Sequence, residues 1–456
     1  MDEIFQSPEW LQALTLAERA SLPGANEGDP LDPERLERAA RKAGRWRNES
    51  DLLDDDIFAE RLALEGLTPG RFLRLLAEPA ADLQRRAGGP PAWLEPLQRA
   101  FTQPRPPLPA AFPGDLGLLE LLRPLIADAC ARVLESLRRI AGDAGAFDPE
   151  TVAGCLLATL LRRLRWLSER TLTLELHVSR LEGKLHGDTP EERFGSFVAS
   201  LRNPENALEI LRRYPVLARD ACRHAEQWVE TSLEMMERFQ ADREEIVRLF
   251  ASGEDPGALT GVRIGLSDRH AGGRSVAILD FASGLRVVYK PKPLAIDLRF
   301  QGLVEWLNER GADPPLRSLA ILDRGAYGWM EHVSARPCET PDEVRRFHER
   351  QGAWVGLFYA LEATDFHHEN LIAAGEDPVP IDLETLFQPT LPEQTVSGPG
   401  SAPMANTVLR SGLLPQRFWA DTIHRGLDLT GMGAMRTQTL ETAGITEAGT
   451  DRMRWA

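Results

Sequence analysis

The sequence predicts an α+β fold, with a helical N-terminal region followed by a core of short strands and long helices. Three observations carry this. Apolar residues recur at helical spacing from residue 115 onward (Leu118, Leu122, Leu125, Ala129, Val133, Leu137), and again through 149–180, 191–212 and 218–250. Ser252-Gly253-Glu254-Asp255-Pro256-Gly257 then breaks the last helix, and short runs rich in Val and Ile take over. Further on, Thr340-Pro341-Asp342-Glu343 places a capping residue and a proline at the start of another long helix, which is expected to run to about Ala363.

Taken in order, residues 1–88 carry short helical patterns and read as an N-terminal helical segment. Residues 89–114 are dense in proline and read as an extended connector. Residues 115–254 form the Leu-rich helical region, and 255–456 the mixed core. Within the core, Leu259 to Leu266, Ser275 to Phe281 and Leu285 to Lys290 are expected to form a small antiparallel meander. Gly272-Gly273 assigns 268–274 to the first turn, and Ala282-Ser283-Gly284 makes the second. A helix from about Ala295 to Arg310 follows, then a hairpin of Leu316 to Leu322 and Tyr327 to Val333 turning at Asp323-Arg324-Gly325. No internal repeat at a fixed period is visible.

At 456 residues the chain exceeds one ordinary core and calls for several packed units. It is 43% hydrophobic and 27% charged with no run of eighteen apolar residues, the composition of a globular protein without a membrane-spanning helix. Met1-Asp2-Glu3-Ile4-Phe5 lacks the basic start and apolar core of a secretory signal, so a cytoplasmic location is expected. Cys130, Cys155, Cys222 and Cys338 lie far apart without paired spacing, which argues against a disulfide framework and a zinc site. A net charge of -16 repels a nucleic-acid backbone, whereas a nucleotide carried with magnesium is compatible because the ion inverts the local sign.

The chemistry concentrates in Thr364-Asp365-Phe366-His367-His368-Glu369-Asn370 and Ile381-Asp382-Leu383-Glu384. Asp365 and Asn370 have the spacing of a protein-kinase catalytic loop, in which the Asp takes the proton of the acceptor hydroxyl and the Asn holds magnesium. Asp382 falls where a second magnesium carboxylate is expected, and Glu384 is placed to join the same shell. His367 is a candidate to orient Asp365 or contact phosphate, while His368 is expected to pack or face solvent. His177, His186, His224, His332, His348 and His424 lack metal spacing or a nearby nucleophile and receive no role.

The order of three strands, helix, hairpin, long helix, polar loop and short strand is that of a protein-kinase core. Val287-Val288-Tyr289-Lys290 ends an apolar strand on a lysine, which makes Lys290 the candidate for nucleotide phosphates; taken alone it also fits an ordinary edge-strand lysine. Lys292 competes for that role, although the flanking Pro291 and Pro293 indicate that the strand has ended. Glu305 lies at a suitable distance into the next helix to pair with the lysine. The turn at 268–274 carries Asp268, Arg269, His270 and Arg274 rather than a run of glycines, so it implies more than a phosphate cradle.

These motifs together resemble the dehydratase domain of class II lanthipeptide synthetases of the LanM type, a family related to lipid kinases. The resemblance rests on Ser267-Asp268-Arg269-His270, Tyr289-Lys290-Pro291-Lys292, Asp365 to Asn370 and Pro380-Ile381-Asp382-Leu383-Glu384. Upstream it extends to Gly187-Asp188-Thr189-Pro190-Glu191-Glu192-Arg193-Phe194 and Tyr214-Pro215-Val216-Leu217. It covers roughly residue 110 onward and implies ATP-dependent phosphorylation of Ser and Thr in a ribosomal precursor peptide. Elimination of phosphate then gives dehydroalanine or dehydrobutyrine. By position it implies Lys290 at the phosphates, Asp365, His367, Asn370, Asp382 and Glu384 in phosphorylation and magnesium binding, and Asp268 and His270 at the phosphate for elimination.

The resemblance also implies a separate zinc-dependent cyclase part or companion chain. The chain reaches Met453-Arg454-Trp455-Ala456 before the elimination Arg and Thr that the family carries further downstream, so a truncated dehydratase is expected. Two other readings stay open at this level: a phosphotransferase that stops at the phosphate ester, and a catalytically incomplete nucleotide- or peptide-binding fragment.

Overall fold

The computed structural model describes residues 2–24, 32–48, 55–104, 108–142, 145–265, 272–388, 407–416, 428–433 and 444–456. It is an α+β protein, and the chain divides into two compact units. The first comprises Met1–Arg139, Ala153–Glu234 and Gly444–Ala456; the second comprises Ile140–Val152 and Met235–Ala443. No described helix is long and apolar enough to cross a membrane.

The helices up to the first strand are α1 (Asp2–Phe5), α2 (Leu16–Ser21), α3 (Pro33–Asn48), α4 (Asp55–Leu64), α5 (Pro69–Ala77), α6 (Ala80–Ala87), α7 (Glu95–Thr102), α8 (Arg123–Ala141), α9 (Pro149–Leu181), α10 (Pro190–Leu201), α11 (Pro204–Arg213) and α12 (Pro215–Phe250). Their starts follow from local sequence. Thr68, Thr189 and Asn203 each cap a helix that opens on proline, where the missing N–H removes no intrahelical bond. Asn203 also splits the 191–212 periodicity into two helices, because a residue before proline is disfavoured in helical geometry.

Part of the expected connector at 89–114 is helical, while residues 103–104 and 108–114 carry no helix and 105–107 lie outside the described residues. The helical part contains a 3-10 turn at Ala92–Leu94 and α7, whose Leu97 and Phe101 are buried. Proline density misled here because Pro96 lies in the first turn of α7, the one part of a helix that tolerates it. At the other end of this unit, β8 (Ile445–Thr446) and β9 (Arg454–Trp455) form a hairpin. The Arg193 Nε donates to buried Asp451 Oδ2 at 2.6 Å, and Asp451 N donates to Pro190 O at 3.0 Å. The conspicuous segment before Phe194 therefore anchors the last residues of the chain.

In the second unit, β1 (Leu259–Ile264), β2 (Ala277–Phe281), β3 (Arg286–Lys290), β4 (Ile321–Asp323) and β5 (Gly328–Glu331) make one antiparallel sheet in the order β1-β2-β3-β5-β4. The meander falls where the sequence places it, whereas the hairpin's first strand is shorter than expected, Ile321–Asp323 instead of Leu316 to Leu322. The hairpin inserts its second strand beside β3, so Lys290 pairs with Gly328. A Cβ at Gly328 would lie 2.5 Å from Leu294 Cδ1 and 2.6 Å from Leu322 O, so only glycine fits opposite the lysine.

α13 (Ala295–Glu309) follows β3, and α14 (Pro341–Ala360) opens with the expected capping box between Thr340 and Glu343. After the polar loop, the expected short strand is a hairpin of β6 (Leu371–Ala374) and β7 (Asp377–Pro380), turning at Gly375 with φ 68°. Phe300 and Val304 of α13, Trp354 and Phe358 of α14, and Phe366, Leu383 and Leu413 form one apolar cluster beneath the loop.

Candidate functional site

The site is built where the end of β3, the start of α13, the 364–370 loop and the 381–384 segment meet. Lys290 shares its face of the strand with Val288 and is buried, its ammonium lying 3.7 Å from Asp297 Oδ1 and donating to Ile381 O. Both side chains of the pair are buried. Burial pushes the Lys290 ammonium below its ordinary range against the pull of Asp297, and pushes the Asp297 carboxyl above the carboxylate range against the pull of Lys290. Among the described residues neither Asp297 oxygen has a hydrogen-bond partner, so the carboxylate is held by charge at a distance too long for a hydrogen bond.

The helical carboxylate beside Lys290 is thus Asp297 in the first turn of α13, not Glu305. Glu305 lies two turns further on and is exposed. The expected spacing was borrowed from a helix that presents its middle to the lysine; here the helix begins almost at once after β3, and its first turn is what reaches. The signal available in the sequence was an acidic residue set among Leu294, Ala295, Ile296 and Leu298, which is unusual for a solvated position.

Lys292 lies beyond the strand end, as its flanking prolines indicate, yet it belongs to the site. Its Nζ donates to Asp382 Oδ1 at 2.7 Å and to Glu384 Oε2 at 2.6 Å. Burial would lower this ammonium, but the two carboxylates outweigh burial and hold it above its ordinary range. The structure therefore separates the two lysines: Lys290 faces Asp297 and a backbone carbonyl, and Lys292 bridges the two carboxylates.

The polar loop is set by its backbone. Asp365 is in the left-handed region at φ 67°, a conformation that Asp tolerates better than most residues. On one side Thr364 N donates to Thr385 O at 3.3 Å, and the Thr385 hydroxyl donates back to Thr364 O. On the other, Phe366 N donates to Ser411 O at 2.8 Å while the Phe366 ring stacks on Phe358 with centroids 3.7 Å apart. The Asp365 side chain is left exposed between these anchors.

The His367 Nδ1 accepts the Glu369 N–H at 3.2 Å, and its Nε2 lies 3.7 Å from Asp365 Oδ1 and 3.4 Å from the Asn370 side-chain nitrogen. The Asn370 amide donates to Asp365 O at 2.9 Å, and Ile381 N donates to Asn370 O at 3.1 Å. His368 packs instead: its backbone N–H and its ring Nδ1 both bond to Leu429 O at 3.0 Å. Ser411, Gly412 and Leu429, which clamp the loop, carry no sequence signal that marks them beforehand.

The arrangement thus links Lys290 to Ile381, Ile381 to Asn370 and Asn370 to Asp365 through consecutive hydrogen bonds. Asp268 and His270 lie outside the described residues. Among the described residues no three His, Cys, Asp or Glu side chains converge as a metal cage. The oxygen donors of Asp382, Glu384 and Asn370 suit magnesium, which takes one or two carboxylates and fills its shell with substrate phosphates and water. None of the four cysteines is in a disulfide; burial pushes the Cys222 thiol up to about 12, far from a reactive thiolate.

Residues 214–456, more than half of the chain and including every residue of this site, match the family model described as domain of unknown function DUF4135. The chain belongs to the DUF4135 family. A curated relative, the lacticin 481/lactococcin biosynthesis protein LcnDR2 of Lactococcus lactis subsp. lactis, is 28% identical over 227 residues. That alignment covers 48% of this chain and 24% of the relative, so the matched DUF4135 chain spans about a quarter of that protein's length.

Proposed function

We propose that this DUF4135 protein acts in lanthipeptide biosynthesis, phosphorylating Ser and Thr side chains of a ribosomal precursor peptide from ATP and then eliminating the phosphate. The observation that carries the reading is the convergence of Lys290, the Asp365–Asn370 loop and the Asp382/Glu384 segment through consecutive hydrogen bonds. The likeness to a lacticin 481/lactococcin biosynthesis protein supports the peptide substrate.

In the first step Asp365 takes the proton of the acceptor hydroxyl as that oxygen bonds to the γ-phosphorus. The bond from phosphorus to the β,γ-bridging oxygen breaks, and ADP leaves. His367, whose Nε2 lies 3.7 Å from Asp365 Oδ1, orients Asp365, and Lys290 meets the phosphate charge. Asn370, Asp382 and Glu384 would hold magnesium, which when bound neutralises charge on the phosphates. In the second step a base removes the peptide α-proton, the Cα–Cβ double bond forms and the Cβ–O bond breaks, releasing phosphate with the electron pair. Asp268 and His270 are proposed for this step, and thiol addition to the alkene is assigned to a cyclase part or partner.

The test is mass spectrometry of a Ser/Thr/Cys-rich precursor peptide encoded beside this chain, incubated with the full chain, ATP and magnesium. Loss of water from the peptide, abolished by Asp365→Asn, is the expected result. A stable gain of phosphate would make the protein a phosphotransferase without elimination. Nucleotide binding without any mass change in either protein would leave a binding module and sink the catalytic reading.

A further inference from the structure

Two carboxylates that are to receive a divalent cation repel each other when the cation is absent, and something must hold them together. We infer that Lys292 is the resident counter-cation of Asp382 and Glu384, a positioning residue whose ammonium occupies the point between them until a divalent cation displaces it. The inference rests on the proposed metal-binding reading of those carboxylates. Its physical content is specific: the two side chains, from alternate positions of one segment, bring one oxygen each to within 2.7 and 2.6 Å of a single nitrogen. A compact ammonium with three donors is the side chain that most resembles a metal ion in charge density and in its demand for converging oxygens.

The surroundings fit a displaceable cation. Pro291 and Pro293 stiffen the backbone on both sides of Lys292, so the stem always leaves from the same place. The Lys292 side chain keeps 28% of its surface exposed, against 7% for Lys290, so it can swing into solvent or onto an anion without opening a core. Lys290 cannot substitute for it, because its ammonium faces Asp297 and the Ile381 carbonyl. The two lysines therefore divide the work: Lys290 is a fixed charge, and Lys292 is exchanged for metal and freed to meet the anion that the metal brings.

An ordinary ion pair and a metal placeholder predict different metal affinities. Mn2+ binding to the full chain without nucleotide, followed by electron paramagnetic resonance, should tighten at least about fivefold in Lys292→Met, the low end of coupling between competing ligands. Lys292→Arg, which keeps the charge, should bind Mn2+ as the unsubstituted protein does; Lys292→Gln repeats the neutral comparison if the Met variant folds poorly. The tightening must vanish in an Asp382→Asn background. Mn2+ binding that depends on Asp382 but is unchanged or weakened in Lys292→Met and Lys292→Gln overturns the inference while sparing the metal site. Absence of any Asp382-dependent binding overturns both.

Discussion

Phe366 donates its backbone N–H to the carbonyl of Ser411 at 2.8 Å, which ties the loop carrying Asp365 to a segment far along the chain. The next residue, Gly412, has φ 74°, and a Cβ there would stand 3.3 Å from Phe366 N and 3.7 Å from Asp365 N. Substitution therefore strains Gly412 and presses on the backbone that aims Asp365. Gly412→Ala is expected to cost about 1–2 kcal/mol of stability from the left-handed backbone. It is also expected to lower turnover of the precursor peptide more than nucleotide affinity, because Lys290 is untouched. Unchanged turnover with a normal unfolding curve would show that the contact does not position the loop.

Phe366 is the apolar half of the same anchor. Its ring is fully buried and stacks on Phe358 within the cluster that includes Phe300 and Trp354. Phe366→Ala should destabilise the second unit by about 3–5 kcal/mol, the usual cost of emptying a buried aromatic site, and Phe366→Leu by about half as much. Urea denaturation measures both. A cost below about 1 kcal/mol for the alanine variant would mean that the loop is held by its hydrogen bonds and not by the core.

The buried pair of Lys290 and Asp297 should behave as a unit. Removing one partner leaves the other charge buried without compensation, so Lys290→Met or Asp297→Leu alone should cost about 3–5 kcal/mol. The double substitution should recover most of that, since two apolar side chains of similar size can replace a buried ion pair at little net cost. Nucleotide binding should be lost in Lys290→Met and remain lost in the double variant. Recovery of stability with recovery of binding would show that Lys290 does not meet the phosphates.

Much of this fold was legible because its signals are local. The strand that ends on Lys290, the capping box at Thr340 and the turns at Gly284 and Gly325 are each decided within a few residues. What failed was either long-range or position-dependent. The proline density of 89–114 reads as an extended connector, whereas Pro96 sits in the first turn of α7. The partner of Lys290 depends on how soon α13 begins after β3, which spacing alone does not reveal. In the site, Asp382 and Glu384 were readable as oxygen donors, but their cation, Lys292, was set aside because its strand had ended. Ser411, Gly412 and Leu429 act through backbone groups, which every residue possesses, so no residue type marks them.

Glu120 gives a pH test that is independent of catalysis. Its carboxylate is buried in the first unit; burial would raise its pKa, but Arg123, the Leu116 N–H at 3.0 Å and Arg202 at 3.2 Å outweigh that and hold it at about 2. A carboxyl near 4.5 when unfolded and near 2 when folded contributes stability that is fully present above pH 4.5. That stability is lost as the pH falls from 4.5 toward 2, because the unfolded chain takes up the proton first. Glu120→Gln should therefore cost up to about 3 kcal/mol at pH 7, and the difference from the unsubstituted protein should shrink through that window. Thermal unfolding midpoints of both proteins, taken from pH 7 down to pH 3, provide the measurement. A difference that stays constant with pH would mean that the variant acts through lost packing and not through the charge held by Arg123 and Arg202.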